Sequence, residues 1–150
     1  MDGLNPKSTA AIAGHPIHPM LVGFPIAFFA ATVATDLAYR QTTNLGFATA
    51  SEWLLGAGLV MAALAALAGL TDFLGERRIR ELRQAWWHML GNVTVVALEL
   101  INLVLRLRAG APGVSDTELL VSVVAVLILL FNGWMGWELV YKHRVGIADL

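Results

Sequence analysis

The sequence predicts an all-α integral membrane protein, a single four-helix bundle running up-down-up-down. Three observations predict it. Of 150 residues, 57% are hydrophobic and only 14% charged, whereas a soluble domain carries roughly 25% charged residues. The mean hydropathy is +0.68. Four apolar stretches each reach the roughly 20 residues that a helix needs to cross a bilayer.

The first stretch covers residues 20–39, the second 53–74, the third 86–105 and the fourth 119–141. Trp53 to Leu70 carries no charge at all. Trp53, Trp86, Trp87, Tyr39 and Tyr141 stand at segment ends, where amphipathic rings favour the headgroup region. The connections are short: "RQTTNLGFATASE", the arginine-rich "GERRIRELRQA", and "RLRAGAPGVSDTE" with its turn residues Gly110, Pro112 and Gly113. No second domain is expected. The lipid bilayer is the first partner implied.

Composition also excludes several chemistries. The net charge of −1 gives no basic field for nucleic acid. The absence of cysteine removes disulfides, thiolate metal sites, cysteine nucleophiles and c-type haem attachment. The first eighteen residues lack the pattern of a cleavable signal peptide. Four short spans without broken-helix pairs give little support to a carrier.

Orientation follows from the loop cations. We call side A the membrane face holding both ends of the chain and the second-to-third connection. It carries seven of the ten Lys and Arg residues, namely Lys7, Arg77, Arg78, Arg80, Arg83, Lys142 and Arg144; side B carries Arg40, Arg106 and Arg108. The excess predicts cytoplasmic termini. All four histidines, His15, His18, His88 and His143, fall on side A. Asp72 and Glu138 lie near the same face.

The stretch "GHPIHPM" at residues 14–20 opens the first span. Pro16 and Pro19 suit a first helical turn, where backbone N–H groups lack partners in any case. They would set where the helix starts and so where His18 points. His15 and His18 share a face if the helix begins early enough. Pro25 lies deeper and predicts a kink. In the third span, Asn92, Glu99, Asn102 and Arg106 fall within about 40° of His88, taking about 100° per residue. A charge at mid-membrane is costly against lipid, so the whole stripe is expected to face inward. In the second span Gly58, Ala65, Gly69 and Asp72 share a face of small residues suited to close approach. His18 to Asp36 and His88 to Arg106 span the same 18 residues, the hint of two parallel repeats.

The stretches "GHPIHPMLVGFPIAF", "TDLAYR", "AGLTDFLGE", "WWHMLGN" and "MGWELVYKHRVGI" resemble the prokaryotic membrane proteins grouped as domain of unknown function 2231. The resemblance covers nearly the whole chain. Trp137 stands where that family usually has a second glycine. The resemblance implies a four-helix fold in a prokaryotic cytoplasmic membrane. Such domains occur joined to cytochrome c or Rieske modules and are thought akin to di-haem membrane cytochromes b, which by analogy implies redox work.

Two cofactor readings follow. A b-type haem needs two axial imidazoles on facing helices and cationic partners for its propionates. His18 and His88 are the expected ligands, provided their helices lie diagonally across the bundle. Arg77, Arg78 and Arg83 are the expected propionate partners, with Gly14, Gly69 and Gly91 leaving room. The other reading is a zinc or iron ion held by His15, His18, Asp72 and His88. Each has a plainer counterpart. The imidazoles can bond neighbouring carbonyls or Asp72, Glu99 with Asn102 can clamp two helices or carry protons, and the arginine loop can mark topology. The function expected is a small membrane redox subunit serving a redox partner or a larger complex, with a homo-oligomer also open. The alternative is a structural or assembly subunit with the histidines in a polar packing cluster.

Overall fold

The computed structural model describes residues 5–110 and 113–147. An N-terminal arm leads into a small hairpin, β1 (Ala11–Ile12) and β2 (His15–Pro16), which pair antiparallel. Ala13 and Gly14 turn the chain between them with φ of 49° and 80°. The helices follow as α1 (Ile17–Leu21), α2 (Gly23–Thr42), α3 (Leu45–Gly75), α4 (Arg77–Arg80), α5 (Arg83–Ala109) and α6 (Asp116–Tyr141).

Four helical stretches are long and apolar enough to cross a membrane: Ile17–Thr42, Leu45–Gly75, Arg83–Ala109 and Asp116–Tyr141, of 26, 31, 27 and 26 residues. At about 1.5 Å per residue each outruns the ~30 Å hydrocarbon core. The bundle is the expected one, but helix ends lie beyond the apolar spans. The first connection shrinks most. Residues expected as loop are helical from Leu45 onward, because Asn44 caps α3 by accepting from the Gly46 N–H at 2.9 Å. Only Thr43, with φ of 54°, and Asn44 remain as the turn.

Pro16 and Pro19 do mark the helix start, but the shared face of the two histidines needs correction. His15 lies in β2, and helix begins only at Ile17 with Pro16 as its N-cap. His15 and His18 therefore share no helical face. The first span breaks at Val22, between α1 and α2, within the turn preceding Pro25, as a proline kink predicts. Pro25 sits in the first turn of α2, where it leaves the Leu21 carbonyl without its helical donor.

Helix neighbours close a ring in the order α2, α3, α5, α6 and back to α2. The first and third spans thus lie diagonally, as a shared site between them requires. Phe29, Leu55, Ala62, Val95 and Ala125 form the apolar centre. Gly58 makes that centre tight, since a Cβ there would stand 2.6 Å from the Phe29 ring. Along each span, polar inward residues flank this layer above and below. α6 starts with a capping box in which Ser115 Oγ accepts from the Glu118 N–H at 3.3 Å and Glu118 accepts from the Ser115 N–H at 2.7 Å. Ser115→Ala should cost about 1 kcal/mol, read as a lowered midpoint in detergent unfolding.

Candidate cofactor site

On side A, His18 and His88 meet. Their ring centroids are 6.1 Å apart and the planes are perpendicular. Each imidazole is fixed from behind by a neighbouring helix. His18 Nδ1 lies 2.7 Å from the Ala65 carbonyl of α3, and His88 Nδ1 lies 3.1 Å from the Asn132 carbonyl of α6. A carbonyl only accepts, so both Nδ1 atoms carry a proton, and the nitrogen left to ligate a metal in the neutral ring is Nε2.

The two halves build the same slot. In each, the carbonyl partner is followed four residues later by a glycine. A Cβ at Gly69 would stand 2.9 Å from His18 Nδ1, and one at Gly136 would stand 3.1 Å from His88 Cε1. Asn132 adds a reciprocal bond, its Nδ2 donating to the His88 carbonyl at 3.2 Å. Gly91 leaves space for that side chain, since its Cβ would stand 2.2 Å from Asn132 Oδ1. Trp137 points outward and lies against Trp134 and Tyr141 at centroid distances of 6.2 and 5.4 Å.

The residues expected around a four-ligand metal ion do not converge. His15 is exposed, and its Nδ1 turns to the Ala13 carbonyl at 3.0 Å. Asp72 bonds neither His18 nor His88. Its Oδ1 accepts from Ser8 Oγ at 2.8 Å and from the Ala10 N–H at 2.7 Å, tying down the N-terminal arm. Among the described residues no three His, Cys, Asp or Glu side chains come together. His143 lies half-buried just past α6, its N–H donating to the Glu138 carbonyl at 3.1 Å.

The arginines divide by task. Arg77 pairs with Glu81 at 2.9 Å in solvent. Arg78 donates to Glu76 at 3.2 Å and to the Asn5 carbonyl at 2.9 Å. Arg80 caps the end of α3 through the Phe73 and Leu74 carbonyls. Arg83 makes no ion pair among the described residues and lines a groove with Gln84, Trp87, Phe131 and Met135. The Arg78 guanidinium holds the Glu76 carboxyl down at about 2, from an ordinary 4.5. A depressed carboxylate stabilises the fold above its unfolded value and loses that contribution as pH falls. Docking of the N-terminal arm should therefore weaken between about pH 4.5 and about 2. Limited proteolysis of the arm across that window reads it, and Glu76→Gln should remove the dependence.

A second polar layer, on the side B half, joins Asp36 of the stretch "TDLAYR" to the Glu99, Asn102 and Arg106 end of the third-span stripe. Arg106 and Asp36 form a buried two-pronged ion pair, Nη1 to Oδ1 at 2.9 Å and Nη2 to Oδ2 at 2.7 Å. Ser51 accepts from Arg106 at 2.7 Å and donates to Asp36. Asn102 accepts from Arg106 Nε at 3.2 Å and donates to Glu99 at 3.0 Å and to Ser122 at 2.8 Å. The signal for it in the sequence is the equal spacing. Residues at matching positions of the two halves, His18 with His88 and Asp36 with Arg106, pair with each other at the bundle's centre.

Four long apolar helices around buried polar pairs define a polytopic helical membrane protein. The chain belongs to the family termed domain of unknown function 2231, described as a predicted membrane protein, whose model matches residues 14–149. No curated protein and no solved structure matches it.

Proposed function

We propose that this chain is a small membrane redox subunit that holds a b-type haem between His18 and His88. The supporting observation is the 6.1 Å separation of two imidazoles whose Nδ1 protons are already committed. Two metal–nitrogen bonds of about 2 Å, plus the half-width of each ring, come to about 6 Å. Carbonyl-bonded Nδ1 atoms are the usual orienting partners of ligating histidines. The donor count also favours haem. A haem takes two axial ligands, whereas a zinc ion takes four, and the described residues bring two imidazoles together.

A haem iron so held would supply one-electron transfer. The protein's part is then to fix both imidazoles, through Ala65 and Asn132, and to keep the site dry with the Phe73, Ile79 and Ala85 cluster. Arg83 is the cation left for a propionate. Cytoplasmic termini gain support from Arg106, which is buried in an ion pair and no longer counts as a side B loop cation. A partner electron carrier, or a place in a larger complex, belongs to the same reading.

The alternative, a structural subunit, draws support from the same bonds, because they also make a complete clamp without a ligand. Reduced-minus-oxidised spectra of protein purified from haem-replete cells separate the two. His18→Ala and His88→Ala should each abolish a Soret band and sharp α and β bands, while His143→Ala keeps them. Equal haem in all variants, or none in the parent protein, would overturn the proposal.

A further inference from the structure

One buried carboxyl is left over when the side B network is complete. Glu99 of α5 is 0% exposed. Its Oε2 accepts from Asn102 at 3.0 Å, but its Oε1 is buried with no hydrogen-bond partner among the described residues. The charged groups facing it are Asp36 from α2 and Arg106 from α5, and these neutralise each other. α3 and α6 contribute the hydroxyls of Ser51 and Ser122, and Glu118 is turned to its own helix start. Among the described residues no cation remains for Glu99. Ionised, it would be an uncompensated charge among helices in a membrane; neutral, it leaves one polar atom short of a partner. A metal cation is the wrong neutraliser, because Asn102 Oδ1 and Ser122 Oγ already accept from the Arg106 guanidinium, whose charge repels another.

We propose that Glu99 is a proton-binding site inside the membrane, a carboxylic acid that loads and releases one proton through Oε1. On release the O–H bond of the neutral carboxyl breaks, a water molecule takes the proton as hydronium, and a carboxylate remains beside the Asn102 donor. Loading is the reverse. The proposal stands apart from haem binding and needs no electron.

Infrared spectroscopy of the purified full chain in detergent tests it. The expected result is a carbonyl band of an un-ionised carboxyl at neutral pH that shifts on transfer to D2O. The band should vanish in Glu99→Gln, whose amide mimics the neutral acid and whose circular dichroism should match the parent. If that variant does not fold, Glu99→Asp should keep the band at a displaced frequency. The proposal is overturned if the parent lacks the band, if the band persists in Glu99→Gln or stays unmoved in Glu99→Asp, or if it does not respond to D2O.

Discussion

Asp36→Ala should be among the most destabilising single substitutions in this protein. It would strip Arg106 of both carboxylate contacts and leave a guanidinium that is 5% exposed inside the bundle. Breaking a buried pair by deleting one partner costs about 3–5 kcal/mol, a large share of a domain's total of about 5–15 kcal/mol. The cost comes from the stranded charge rather than from the lost attraction. Hence Asp36→Leu combined with Arg106→Met should recover most of the loss, since an apolar pair of similar volume needs no desolvation. Unfolding in mixed micelles reads both. A loss below about 1 kcal/mol for the single variant, the range of exposed pairs, would mean that water or lipid headgroups reach Arg106.

Gly91→Ala should be the second large effect. The new methyl would stand 2.2 Å from Asn132 Oδ1 and 2.6 Å from its Cγ. Asn132 is only 2% exposed, so its amide cannot turn out of the bundle to relieve the contact. The clash would displace the amide that bonds the His88 carbonyl and disturb the backbone whose carbonyl holds His88 Nδ1. Overpacking a tight core costs about 1–3 kcal/mol, and the lost hydrogen bonds add to that. Gly133→Ala is the control. It sits one residue from Asn132, meets nothing within 4 Å, and should leave stability unchanged. If haem is bound, its content should fall in Gly91→Ala and not in Gly133→Ala. Equal behaviour of the two variants would show that the α5–α6 clamp does not depend on close approach.

Helical periodicity makes much of the site legible in the sequence. The third-span stripe does face inward: Glu99, Asn102 and Arg106 are buried, and His88 is half-buried. The small-residue face of the second span does admit close neighbours, Phe29 at Gly58 and His18 at Gly69. Both follow from residues a turn or two apart, which is a local property. His15 and Asp72 are harder. Spacing places them at the right depth and on the right side, but their partners come from the N-terminal arm, a segment with no periodicity. Nothing in "KSTAAIAG" tells that Ser8 and Ala10 will reach Asp72. The first connection is shorter than its composition suggests, because Ser and Thr read as loop residues although Asn44 allows the helix to begin just after it.

The sequence by itself determined the solvent this protein lives in, the number of its crossings, the face on which its histidines lie and the inward direction of its polar stripe. Those properties depend on composition and on residues a few positions apart. Only the tertiary structure decided which polar groups meet. Asp36 and Arg106 are 70 residues apart, as are His18 and His88, and sequence spacing could hint at their equivalence without bringing them into contact. The pairing needs two hairpins packed with their first helices on the diagonal, so that matching positions face each other across the axis. Apart from Glu99 Oε1, the buried polar side chains take the partners the packing delivers, because leaving them unpaired in a membrane interior costs more than local preferences offset.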